Sequence, residues 1–141
     1  MVDISGKEES LRIAKSRGEI KLNKGTIKSI KEGEIKKGDV ISIAQTAAIL
    51  AVKNTPNLIP LCHLIPINSV DVSFDIGEEV IVCQCEVKAN YSTGVEMESL
   101  VGVSVALLTI WDMVKYLEKD EKGQYPTTSI TNIKVISKQK E

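Results

Sequence analysis

Between Thr93 and Lys119 the chain reads as one long helix, with Thr93 as its cap. Its centre, Leu100 to Trp111, is apolar nearly all round and carries the small or hydroxylated residues Gly102, Ser104, Ala106 and Thr109. A helix lying on a sheet buries one stripe, so a helix of this kind needs a second partner on another side. Two arrangements supply it. Residues 94–118 lie between subunits, where the small residues admit close approach, or the apolar segment 56–66 covers them.

That requirement narrows what the remaining elements can do. Val70–Ile76 alternates, Gly77-Glu78-Glu79 reads as a hairpin turn, and Val80–Ala89 returns as a strand. Gly123–Thr128 is a loop and Ile130–Ile136 a last strand. Upstream, Gly25–Glu32 predicts a short helix, and Asp39 caps a clearer one that runs from Val40 until Pro56 stops it. Glu19–Leu22 alternates briefly as a strand; residues 1–16 are polar and charge-rich and read as a mobile start, with at most a helical turn at Ser10–Ser16. Residues 56–66, with prolines at 56, 60 and 66, read as neither helix nor central strand but as an irregular apolar segment held against something. The order strand, helix, strand, strand, helix, strand is the split βαβ pattern. The expectation is therefore an α+β, ferredoxin-like sandwich (β-α-β-β-α-β), an antiparallel sheet with its helices on one face, over one domain spanning 1–141.

Composition excludes several classes. The chain has 18 Lys plus Arg against 19 Asp plus Glu, a net charge of −1, so no global basic field exists to attract nucleic acid. Only ten of the charged residues fall between 40 and 114, and of these only Lys53 and Lys88 are basic. The middle supplies the core, and anion-binding cations must come mostly from the ends. The longest charge-free run, Asn54–Val70, contains three prolines, so no membrane span is expected. Three cysteines without a signal peptide point to a reducing, cytoplasmic setting. Cys83 and Cys85 stand two apart on a strand and read as buried thiols. One histidine and no Cys-x-x-Cys pair leave no metal site by spacing.

Four places bear on chemistry. Cys62-His63 sits in the proline-rich segment, a rigid way to hold the chain's one imidazole. Glu96-Met97-Glu98 opens the long helix, where acids suit the positive end of the dipole; a capping box of Thr93 with Glu96 accounts for Glu96 and leaves Glu98 unexplained. Asp112 and Lys115 stand three apart on one helical face at the edge of the most apolar stretch, where proton affinities are shifted. Lys36-Lys37-Gly38-Asp39 precedes a helix N-terminus able to hold phosphate, although Asp39, as a cap, competes for the same amides. Fourteen residues separate Glu98 from Asp112, about 21 Å along one helix, so a small-molecule site using both must be completed across a subunit boundary.

The motifs Leu58-Ile-Pro-Leu-Cys-His63, Thr93-Gly-Val-Glu-Met-Glu98 and Thr109-Ile-Trp-Asp-Met-Val-Lys115 resemble the cyclic pyranopterin monophosphate synthase family of molybdenum cofactor biosynthesis. Met1-Val-Asp-Ile-Ser and Lys37-Gly-Asp-Val40 match as well, and the likeness covers essentially the whole chain. The resemblance implies a cytoplasmic lyase that converts 3′,8-cyclo-7,8-dihydroguanosine 5′-triphosphate to cyclic pyranopterin monophosphate, with loss of diphosphate. It implies a homohexamer, a trimer of dimers, with sites between subunits. It implies Asp112 as active-site acid or base, with Lys37 and Lys115 for proton transfer and phosphate handling. Leu61, Cys62 and His63, together with Glu96, Met97 and Glu98, are then substrate-binding, and Arg12 matches a phosphate-holding arginine. No built-in cofactor is implied, and any Mg2+ travels on the substrate triphosphate. The family's tail reads Lys-Ser-Gly-Gly-Lys-Ser-Gly, whereas here Ser137-Lys-Gln-Lys-Glu141 retains Lys138 without the glycines, which leaves Lys138, Lys140 or Lys122 to supply that charge. The rival reading is a non-catalytic ferredoxin-like oligomer that binds a small phosphorylated ligand.

Overall fold

From Ser10 to Lys21 every second residue is withdrawn from solvent: Arg12, Ala14, Ser16, Gly18 and Ile20 face one way, Leu11 to Glu19 the other. This run is β1, one continuous strand in the computed structural model, which describes residues 1–141. It takes in the short strand expected at Glu19–Leu22, of which Glu19–Lys21 are its last residues, and replaces the mobile start or helical turn expected at Ser10–Ser16. The alternation is not hydrophobic, because most of the inward residues are small or polar, and so period-2 patterning misses it.

After β1 come α1 (Lys24–Lys31), α2 (Val40–Lys53) and a single turn α3 (Thr55–Leu58), then β2 (Ser69–Ile76), β3 (Val80–Tyr91), α4 (Glu96–Glu118) and β4 (Ser129–Lys140). The four strands form one antiparallel sheet in the order β2-β3-β1-β4. This is the expected α+β, ferredoxin-like arrangement, with α2 and α4 layered on one face. β4 extends beyond the expected 130–136 and pairs along nearly all of β1, with register shifts at Lys15/Ser16 and Arg17/Glu19. Asn132, at φ 56, takes the left-handed conformation there, which asparagine tolerates better than most residues.

The long helix finds its second partner within the chain. α2 packs along it and buries Val40, Ala44, Ala48, Ala51 and Val52, while β1, β3 and β4 take its other side. Val103, Leu107, Ile110 and Val114 are fully buried, each contributing about 1.5–3 kcal/mol. Leu108 and Leu117 stay exposed. The segment 56–66 does not provide this cover, since Leu58, Leu61 and Leu64 are exposed and Ile65 alone is buried. Nor is it free of helix: Pro56 sits in the first turn of α3, where its missing N–H leaves nothing unpaired.

Two glycines set how closely the layers approach. A Cβ on Gly18 would stand 2.8 Å from Val103 Cγ1 and 2.9 Å from both Leu107 Cδ1 and Ile133 Cγ1. One on Gly102 would meet Cys85 Sγ at 2.8 Å and Val52 Cγ2 at 2.9 Å, at the point where sheet, α2 and α4 converge. Cys83 and Cys85 are fully buried beneath α4, and burial pushes both thiols up to about 12.

The far end of α4 is tied down by Glu118. Its buried carboxylate accepts from the Asn23 backbone N–H (3.1 Å), from Thr26 Oγ1, and from Thr128 Oγ1 (2.6 Å), joining the start of α1 and the entry to β4. A carboxylate is misplaced at its own helix C-terminus but well placed at the N-terminus of α1.

Two stability outcomes follow from this packing. Gly18→Ala should cost about 1–3 kcal/mol through overpacking, read as a lower urea midpoint at unchanged m-value. Glu118→Ala should cost about 2–4 kcal/mol, because it strands several buried donors at once.

Candidate functional site

Asp112 and Lys115 stand on the exposed side of the last turns of α4, and Lys37 reaches them from the loop between α1 and α2. Lys37 Nζ donates to the Asp112 carbonyl at 2.9 Å and to its Oδ2 at 3.2 Å; Lys115 Nζ is 3.2 Å from Oδ1. Two ammonium groups thus share one carboxylate. The hydrogen bonds from Lys37 and then Lys115 hold Asp112 below the usual carboxylate range. The cluster borders a recess of about 390 Å³ whose apolar wall is Leu108, Trp111 and Ile130. Tyr125 also lines it, packed edge-on to Trp111 at 5.2 Å.

Local sequence explains how Lys37 arrives there. Gly33 (φ 69) ends α1 in the left-handed conformation, and Gly38 (φ 123) turns the chain into α2 where a side chain would be strained. Ile35 between them is buried. Asp39 Oδ1 accepts from Ser42 N at 3.0 Å, so the expected cap of α2 forms. The competition foreseen at that terminus is settled in favour of Asp39, and Lys37 turns to Asp112.

The second group surrounds the start of α4. Leu61, Cys62 and His63 line a cavity of about 300 Å³ with Glu96, Met97 and Glu98. His63 Nε2 lies 2.8 Å from the Val2 carbonyl, so that nitrogen carries the proton and donates. Glu98 is buried and its carboxyl is raised above the ordinary glutamate range, chiefly by desolvation. Cys62 is raised too, by burial and then by the nearby Glu98.

The expected Thr93 cap and its box with Glu96 do not form. α4 begins at Glu96 after Val95, with no side-chain cap. Glu96 pairs across to β4 instead, its Oε1 3.2 Å from Lys138 Nζ. Of the three lysines left open for the tail, Lys138 is the one that pairs with a residue lining this cavity.

Arg12, on the inward face of β1, is buried with its Nε unpartnered; Glu96 Oε2 and Ser10 Oγ are likewise buried without partners. All three lie where β1 and α4 begin. Buried polar groups are normally paired, so this end retains unused hydrogen-bonding capacity. No group of three His, Cys, Asp or Glu side chains is arranged to hold a metal.

The expected residues thus form two groups, not one. Lys37, Asp112 and Lys115 meet at one end of α4, whereas Leu61 to His63, Glu96 to Glu98 and Arg12 gather at the other. Sequence reasoning missed that Val2, Ile4 and Lys7 also line the cavity at the α4 start, although Met1-Val-Asp-Ile-Ser was among the matched motifs. It also missed Trp111, Tyr125 and Tyr116 around the lysine–aspartate cluster, where Tyr116, at i+4 from Asp112, was the available signal.

A family model described as "MoaC family" matches residues 1–141. A protein of Pyrococcus horikoshii is 61% identical over 140 residues, 99% of this chain and 88% of its own length. One of Thermococcus onnurineus is 60% identical over 141 residues, covering 100% and 90%. One of Saccharolobus solfataricus is 58% identical over 141 residues, covering 100% and 95%. Each of these relatives is named "Probable cyclic pyranopterin monophosphate synthase".

The raised carboxyl of Glu98 gives a pH-dependent outcome. Between the ordinary glutamate range and its raised value the folded chain holds more protons than the unfolded one, so stability falls as pH rises through that window. Below the window the cost of charging Glu98 is absent, and above it the cost is complete. Glu98→Gln should therefore raise Tm at about pH 8 and change it little at about pH 4; an equal change at both would show that burial does not penalise the charge.

Proposed function

The chain belongs to the MoaC family, and on that premise we propose that it converts 3′,8-cyclo-7,8-dihydroguanosine 5′-triphosphate to cyclic pyranopterin monophosphate, releasing diphosphate. Full-length relatives near 60% identity make it an enzyme of molybdenum cofactor biosynthesis acting on a small molecule. The observation that carries the finer reading is the Lys37–Asp112–Lys115 cluster, two ammonium groups on one exposed carboxylate beside an apolar recess.

Opening the purine's five-membered ring and building the pyranopterin are hydrolytic, condensation and proton-transfer steps, and the cyclic phosphate closes when a substrate hydroxyl gives up its proton and attacks the α-phosphorus, displacing diphosphate; none of these steps changes an oxidation state. Positioned acids and bases suffice for such steps, each typically worth about 10²–10⁴ in rate. Asp112, kept ionised by its two lysines, acts as the acid–base group. Lys37 and Lys115 move protons and neutralise the phosphates as diphosphate departs. At the other end of α4, Leu61, Cys62, His63, Glu96, Met97 and Glu98 bind the substrate, and Arg12, with Lys138 nearby, meets its phosphate. The reading includes no built-in cofactor, and any Mg2+ would arrive on the substrate triphosphate.

The two groups stand about 21 Å apart along α4, farther than one small molecule spans. The site is therefore completed by a second copy that sets one chain's lysine–aspartate cluster against its neighbour's α4 start. A cytoplasmic homohexamer, a trimer of dimers, is the assembly proposed. Exposed Leu61, Leu64 and Leu108 support such a shared surface.

The test is diphosphate release from the cyclised GTP intermediate. Wild type should turn over, and Lys37→Ala and Asp112→Asn should each lose about 10²-fold or more. Co-assembling Asp112→Asn with His63→Ala chains should regain turnover that neither has alone. Binding without release by wild type would favour the rival, a non-catalytic module for a phosphorylated ligand.

A further inference from the structure

Every neighbour of Lys37 is held by something other than Asp112. Ile35 is buried, Gly38 makes the turn and Asp39 caps α2. Lys36 is held by Tyr116, which grips it twice. The Tyr116 hydroxyl accepts the Lys36 backbone N–H at 3.0 Å, and the Lys36 ammonium lies 5.3 Å from the centroid of the same ring. That ring is itself packed against the core.

Asp112, Lys115 and Tyr116 stand at i, i+3 and i+4, so they share one face of α4. The face that carries the carboxylate also carries the clamp on the residue next to Lys37. Anchoring Lys36 to Tyr116 fixes where the Lys37 backbone starts, and from that start its long, flexible stem reaches the Asp112 carbonyl and carboxylate. Lys37 has no other hydrogen-bonding partner.

We propose that Tyr116 is a positioning residue for the reaction: its hydroxyl, through the Lys36 N–H, sets the loop that delivers Lys37 to Asp112. The proposal rests on the roles given above to Lys37 and Asp112. It also makes this device a property of chains with a hydroxylated ring at this position, since phenylalanine would keep the packing and the contact with the Lys36 ammonium but lose the acceptor.

The test uses the full-length protein with Tyr116→Phe, Lys37→Ala and the double variant, under conditions where Tm shows all to be folded. Phenylalanine should lower kcat about fivefold, the worth of one hydrogen bond, with KM within about twofold. The Asp112 carboxyl, followed by carbon NMR, should titrate higher in Tyr116→Phe than in wild type. Its other facing groups, Lys115 on the same helix and Tyr125 across the recess, are unchanged by the substitution. Adding Tyr116→Phe to Lys37→Ala should move the titration little further, because the two act in series.

An Asp112 titration in Tyr116→Phe identical to wild type, or a shift that adds in full to that of Lys37→Ala, overturns the proposal. The titration arm needs no substrate. If wild type fails to turn over while the NMR cycle behaves as expected, the proposed reaction falls and the hold of Tyr116 on Lys37 stands.

Discussion

α4 has to be covered on two sides at once, by the sheet and by α2, and small residues make that possible. Gly18 in β1 and Gly102 in α4 stand where a single extra carbon would meet side chains at under 3 Å, and α2 offers alanines along its buried face. Interiors pack too densely to absorb such additions, so these positions set the spacing of the layers. They thereby decide where both ends of α4 emerge. Because the helix is 23 residues long, those ends are far apart, and each carries its own group of functional side chains.

The two groups differ in physical character. At the C-terminal end the charges are solvent-exposed, and an aspartate is kept ionised by two lysines that reach it from different parts of the chain. At the N-terminal end the acids are withdrawn, Glu98 is pushed toward its protonated form, and polar atoms of Ser10, Arg12 and Glu96 lack partners. Carboxyls driven in opposite directions by their surroundings are what acid–base chemistry requires of a protein. Glu118 and Tyr116, in the last turn of α4, stand beside the C-terminal group and support it. They fasten the α1 region to the helix, one at the start of α1 and the other beyond its end, and the loop bearing Lys37 hangs from both attachments.

Much of this was legible in the chain. Asp39 as a cap, the 70–76 and 80–89 hairpin, the buried thiols and the all-round apolar helix each have a local signature, and their order implied the sheet. Only the end of β1, at Glu19–Lys21, was legible; before it the inward face is Arg12, Ala14, Ser16 and Gly18, residues that suit the closeness of α4 and give no hydrophobic alternation. The capping box was misread for a related reason. Thr93 and Glu96 have the right spacing, but Lys138, from the other end of the chain, draws Glu96 away. The proline-rich segment was expected to be covered, yet its leucines point outward, since α2 already occupies the second side of α4.

Residue types and spacings determined which elements form and which side chains share a helical face, because hydrogen bonding and periodicity act over three or four residues. They determined that Asp112 and Lys115 would be neighbours and that Glu98 would stand a helix-length away. What only the tertiary structure decided is which distant residues complete each end: Lys37 on Asp112, Lys138 on Glu96, Val2 on His63, Tyr116 on Lys36. Those pairings join residues between 42 and 80 positions apart. No local rule reaches that far; the register of β1 with β4 and the packing of α4 bring them together.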